Sequence, residues 1–144
     1  AHDISIARRN GLALSIISID IDIDWFKKIN DLLGHAAGDE ALVSIAKILQ
    51  RNVRSADTLA RVGGEEFIIV SLEKNNSDAL HLAERIREDV ESSRFTFAEQ
   101  SYQITISLGV ASLRDDETIE LLLNRADEAL YRAKENGRNQ VVND

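Results

Sequence analysis

Residues 58–72 read TLARVGGEEFIIVSL. TLARV and EFIIVSL flank Gly63-Gly64, a spacing that predicts a β-hairpin closed by a two-residue turn with positive φ. Two acids, Glu65 and Glu66, stand at the tip of that hairpin. A central antiparallel hairpin between helical stretches points to an α+β arrangement.

Upstream, residues 12–23 read LALSIISIDIDI, rich in β-branched side chains and ending in strict alternation, which is a strand pattern. WFKKINDLL predicts a short helix broken at Gly34. After GHAAGDE a helix is expected from near Asp39, with Leu42, Ile45, Ala46, Leu49 and Val53 on one face. Downstream of the hairpin and KNNSD, Ala79, Leu82, Ala83, Ile86 and Val90 mark the inner face of another helix. QITISLGVAS predicts a strand. Thr118 suits the N-cap of a last helix with the stripe Ile119, Leu122, Leu123, Ala126, Leu130 and Ala133, and Gly137 suits its end. NQVV closes as a strand. The order β-α-α-β-β-α-β-α-β describes one domain, a mixed sheet with helices on one or both faces.

The composition narrows the function. The 144 residues are 44% hydrophobic and 29% charged, enough for one domain with a core. A net charge of −8 argues against a nucleic-acid polymer as partner, since such binders carry a basic face. A small phosphorylated ligand remains compatible, neutralised by a metal ion and local cations. The absence of cysteine removes disulfides, zinc–thiolate sites and thiol catalysis, and fits a reducing compartment. No apolar run is long enough to span a membrane. The chain starts AHDIS and contains no Met, so it reads as a fragment of a longer protein with its upstream regulatory region outside these residues. That leaves a cytoplasmic domain, in a parent that absent regions could anchor to a membrane.

Alternation places Asp20, Asp22 and Asp24 on one side of the first strand and Ile19, Ile21 and Ile23 on the other. Carboxylates two apart on a strand are roughly 7 Å apart, too far for all three to hold one ion closely. If the hairpin pairs beside this strand, its tip brings a Glu near Asp22. Like charges that close raise one another's pKa unless a cation joins them. A hard divalent ion such as magnesium takes one or two carboxylates, waters and substrate phosphates. On these spacings alone, solvated acids at a turn are the more common reading.

Four stretches coincide with one family. DIDWFKKINDLLGHAAGDEAL, RVGGEEF, ISLGVAS and RADEALYRAKENGRN together resemble the GGDEF domain of the diguanylate cyclases, here in its GGEEF variant, over nearly the whole chain. The resemblance implies a palm-like fold related to nucleotide cyclases and polymerases. It also implies condensation of two GTP to cyclic di-GMP and two pyrophosphates by two domains meeting face to face, each holding one GTP. Asp22, the main-chain carbonyl of Ile23, Glu65 and Glu66 would bind two magnesium ions, with manganese as the alternative. Glu65 would also help deprotonate the attacking 3′-hydroxyl. Asn30 and Asp39 match the guanine readers. Lys27, Lys134 and Arg138 match phosphate-binding cations, and Gly64 lets the substrate approach the backbone. Lys134 and Arg138, four apart, would share a helix face if the helix ran on through Gly137.

RSAD, residues 54–57, resembles the family's product-inhibition site. Arg54 and Asp57 would bind cyclic di-GMP, and Arg85 would complete the site from the next helix. In isolation the same Arg–Asp pair is a surface ion pair worth under about 1 kcal/mol. Two departures stand out. The LTxLxNR segment that usually precedes this region is absent, and Asp20 occupies a position that is usually apolar. The rival reading is a catalytically weak or degenerate module that binds GTP or cyclic di-GMP.

Overall fold

The computed structural model of the chain describes residues 11–22, 27–28, 31–32, 34–97 and 99–144, apart from the side chains of His35, Asn76 and Gln100. The strands are β1 (Ala13–Ile21), β2 (Thr58–Arg61), β3 (Glu66–Glu73), β4 (Phe95–Phe97), β5 (Gln100–Tyr102), β6 (Ile106–Ser112) and β7 (Val141–Asn143). Three long helices are α1 (His35–Asn52), α2 (Asn76–Ser92) and α3 (Ile119–Glu135). Lys27, Lys28, Asp31 and Leu32 are also helical, where the short helix was expected.

The main sheet has the order β2-β3-β1-β6-β7, antiparallel except for the β6–β7 pair. Alternation along β1 sorts its side chains as the sequence predicts. Ile17, Ile19 and Ile21 enter one core with Ile45, Leu49, Ala83 and Ile86 of α1 and α2. Leu14 and Ile16 enter a second, smaller core with Leu122 and Ala126 of α3. The sheet therefore has α1 and α2 on one face and α3 on the other. Burying each β1 isoleucine contributes roughly 2 kcal/mol.

Gly109 of β6 sets the distance of α3 from the sheet. A Cβ there would stand 2.2 Å from the Leu130 backbone nitrogen and 2.3 Å from the Ala126 carbonyl oxygen. The helix thus lies directly on the strand, and any side chain at 109 would push it away.

Both predicted ends of α3 hold. The Thr118 hydroxyl accepts from the Leu121 N–H at 3.2 Å. At the other end Gly137 adopts φ 115°, with Gly137 N–H to Lys134 O and Arg138 N–H to Ala133 O closing a Schellman motif. The helix stops there, so the condition for a shared helical face of Lys134 and Arg138 is not met.

Three other expectations also change. Gly63 and Gly64 do not have positive φ, and the turn is longer than two residues. Val62 N–H bonds Glu66 O at 3.0 Å, while Glu65 turns its carbonyl to β1 and accepts from Ile21 N–H at 3.1 Å. That bond to a third strand reshapes the tip. α1 begins at His35 rather than near Asp39, with Gly34 at its N-cap. The β4–β5 hairpin was not foreseen, and it is closed by the Phe97 and Tyr102 rings at 6.0 Å.

Candidate active site

The sheet end where β1 stops gathers the acids. Asp20 pairs in register with Glu66 of β3 on one side and Ser107 of β6 on the other. Asp22, one residue past β1, is buried at 3% exposure. Its oxygens accept from the Ser107 hydroxyl at 2.6 Å, from the Thr105 hydroxyl, and from the Asn139 N–H at 3.2 Å. The Glu65 carbonyl is bonded to Ile21, so the tip of the hairpin abuts the residue next to Asp22. Glu65 is half-buried and Glu66 exposed.

Asp20 is the residue whose part the sequence did not explain. It is buried, one oxygen receives the Lys134 ammonium, and its other oxygen, Oδ1, has no partner among the described residues. Burial pushes the Asp20 carboxyl up, against the opposing hydrogen bond from Lys134. The Glu65 carboxyl is also pushed up, first by burial and then by the charge of Asp20. These acids resist ionising together, the condition a divalent cation relieves.

Among the described residues, no group of three or more His, Asp or Glu side chains is placed to hold a metal ion by itself. The donor set still fits magnesium, which completes its shell with waters and substrate phosphates rather than with an all-protein cage. All the oxygens offered are hard ligands, and a buried carboxylate oxygen without a partner faces the same charge cluster.

Arg61, to which the sequence reading gave no part, braces the glycine loop. Its guanidinium donates to Gly63 O at 3.1 Å and to Gly64 O at 2.7 Å. A Cβ on Gly63 would come within 3.2 Å of a Glu66 oxygen, whereas a Cβ on Gly64 would meet nothing within 4 Å. The space at Gly64 is open to a ligand.

Beside this loop, Asp39, Leu42, Val43, Ala46, Arg61 and Phe67 line a groove of ≈ 170 Å³. Asp39 is exposed on α1, so the structure puts this candidate base reader next to the hairpin tip. Lys27 is exposed on its short helical stretch. Ile23 and Asn30, with Asp24, Trp25 and Phe26, lie outside the described residues.

The RSAD stretch sits at the opposite end of the hairpin, about 23 Å away by strand rise. Arg54 is ion-paired with Glu73 and with Asp57, whose side chain is fully buried. Asp57 also accepts from the Arg54 backbone N–H at 2.9 Å, closing a local turn. Glu73, which receives the Ser71 hydroxyl at 2.7 Å, carries no signal in the sequence because nothing local links it to Arg54. Arg85 of α2 donates to the side-chain and main-chain oxygens of Asn52, at 3.1 and 2.9 Å. It thereby approaches the Arg54 turn from the second helix.

Comparisons with known proteins bear on this geometry. The family model described as "Diguanylate cyclase, GGDEF domain" matches residues 1–140. The chain is 49% identical over 130 residues to Diguanylate cyclase A of Treponema denticola, covering 90% of the chain and 34% of that relative. The chain thus spans about a third of that protein's length. Among solved structures, the active GGEEF domain of a diguanylate cyclase from Vibrio cholerae superposes with TM-score 0.90 at 43% identity, covering 99% of this chain and 89% of that one. The GGDEF domain of DgcB from Caulobacter crescentus, solved in complex with c-di-GMP, gives TM-score 0.91 at 31% identity, covering 99% and 84%. A family model that spans nearly the whole chain, with relatives this similar in sequence and fold, places the chain in the GGDEF domain family of diguanylate cyclases.

Proposed function

We propose that this domain condenses two GTP into cyclic di-GMP with release of two pyrophosphates, as a face-to-face pair of copies, and that its product inhibits it. One observation carries the reading: the Glu65 carbonyl bonded to Ile21 brings the hairpin acids to the end of β1, beside Asp22. The 3′-oxygen of one nucleotide attacks the α-phosphorus of the other, and pyrophosphate leaves. A second such step closes the ring. Asp22, Glu65, Glu66 and the Ile23 carbonyl would hold magnesium. When bound, the metal lowers the pKa of the attacking hydroxyl and offsets charge on the phosphoryl oxygens. Glu65 would also help to take the 3′-proton from the attacking hydroxyl.

Lys134 stands against Asp20 at the edge of the cluster, where its ammonium can transfer to a phosphate. Lys27 and Arg138 supply further positive charge. Asp39, with Asn30, reads the guanine edge, and an adenine would leave the carboxylate unpaired. Gly64 keeps the backbone open. Each copy contributes one nucleotide, so turnover requires two copies.

At the far end of the hairpin, Arg54, Asp57 and Arg85 bind the product. The basis is the intact RSAD stretch with Arg85 beside it. Arg54→Ala should weaken cyclic di-GMP binding at least about tenfold by calorimetry. Unchanged affinity defeats that assignment.

Incubation with GTP and Mg²⁺ followed by chromatography tests the whole reading. Cyclic di-GMP, forming at a rate that rises faster than linearly with enzyme concentration, supports it. Binding without turnover supports a receptor of GTP or cyclic di-GMP instead.

A further inference from the structure

The loop from α3 to β7 holds three consecutive residues in the left-handed region: Gly137 at φ 115°, Arg138 at 64° and Asn139 at 46°. Two of them are not glycine, and such a backbone persists only where its surroundings fix it. The Asn139 side chain is one such anchor, and it reaches α2. Its Oδ1 accepts from Arg87 Nη1 at 3.2 Å, and its Nδ2 donates to a Glu91 carboxylate oxygen. Arg87, only 15% exposed, bonds the other Glu91 oxygen at 3.3 Å and Glu84 at 3.3 Å. The next residue is pinned as well, since Gln140 O accepts from Leu108 N–H of β6 at 3.0 Å.

The grip matters because of what the same residue does with its main chain. Asn139 N–H donates to Asp22 Oδ2 at 3.2 Å. Among the described residues, the other hydrogen bonds to the Asp22 carboxylate come from the hydroxyls of Thr105 and Ser107, which rotate and can donate or accept. A backbone N–H only donates, and its direction is set by the chain. We propose that Asn139, clamped by Arg87 and Glu91, is a positioning residue. Its N–H fixes the rotation of the Asp22 carboxylate, so that the remaining lone pairs of Asp22 face the metal position.

An amide suits the clamp because it accepts from Arg87 while donating to Glu91. Aspartate would meet Glu91 with like charge, and glycine would keep the left-handed backbone but release the grip. The inference rests on the reading of Asp22 as a metal ligand, and its test separates the two.

Mn²⁺ binding in the presence of a non-hydrolysable GTP analogue is followed by electron paramagnetic resonance of the free ion. The proteins compared are wild type, Asp22→Asn, Asn139→Gly, Asn139→Asp and the double variant Asn139→Asp with Glu91→Gln, each checked for folding by circular dichroism. Asn139→Gly and Asn139→Asp should weaken Mn²⁺ binding and lower kcat about tenfold, with KM for GTP within about twofold. The double variant restores a donor to the pair and should recover most of the loss. If Asp22→Asn weakens Mn²⁺ binding while both folded Asn139 variants bind as wild type, the positioning role is overturned. Failure of the double variant to recover affinity overturns the clamp. If Asp22→Asn binds as wild type, the metal reading falls first and this one with it.

Discussion

The two ends of the sheet treat their carboxylates differently. At the end where β6 finishes, Arg125 donates twice to Glu117, at 2.7 Å each, and to Asp144 at 3.0 Å, and Arg132 adds a second bond to Asp144 at 2.7 Å. Glu117 and Asp144 are held below the usual carboxylate range, by Arg125 and by Arg132 respectively. At the other end Asp22 is held by neutral donors, Asp20 keeps an oxygen without a partner, and Glu65 is pushed up. The first arrangement closes the structure. The second leaves negative charge inadequately neutralised, which lowers stability and persists where a ligand supplies the missing charge. The Arg54 cluster shares one mark with the active-site end, because Asp57 and Glu73 each keep a buried oxygen without a partner among the described residues.

The comparison breaks first on Asp22→Asn. The variant keeps the shape and the contacts to Ser107, Thr105 and Asn139 but loses a full charge where positive charge must collect. Turnover should fall at least about 10³-fold, or about 4 kcal/mol of transition-state stabilisation, while Tm stays within about 3 °C. Activity within tenfold of wild type would mean that the acids at this end are structural after all. Arg125→Ala is the converse. It leaves Glu117, whose side chain is 8% exposed, with its main partner gone, and should cost about 3 kcal/mol by urea denaturation. Turnover measured well below the melting temperature should stay within about twofold. A loss of activity without a loss of stability would erase the distinction between the two ends.

How far the sequence shows this contrast depends on how local each feature is. The apolar stripes of α1, α2 and α3, the Thr118 cap and the stop at Gly137 are local and were legible. So was the sorting of β1, because period two alone puts Asp20 and Asp22 on the face opposite Ile19 and Ile21. The tip of the hairpin was misread because its shape depends on Ile21, some forty residues upstream, drawing the Glu65 carbonyl away from β2. β4 and β5 have three residues each, too few for a period to emerge. The family resemblance pointed to Asp22, Glu65 and Asp39, yet no periodicity could pair Asp20 with Lys134 or Asn139 with Glu91. Those contacts join residues far apart in the chain that only the folded sheet brings together.

Acid provides the smallest and most selective measure of the contrast. Glu117 is the test group, since the Arg125 hydrogen bond is the largest cause of its lowered pKa. A carboxyl depressed in the folded state contributes stability that is fully present above its unfolded value, about 4.3 for Glu, and is lost as pH falls through the lower folded value. In Arg125→Ala most of that depression disappears. The stability difference between wild type and variant should therefore be flat from pH 7 to about pH 5 and narrow steadily below about pH 4. Urea midpoints taken across that range measure it. Arg125 also donates to the Ser112 carbonyl, a bond that acid leaves in place, so the gap should shrink without vanishing. A gap that stays constant on acidification would mean that Arg125 stabilises the domain through packing of its stem rather than through the carboxylates it binds.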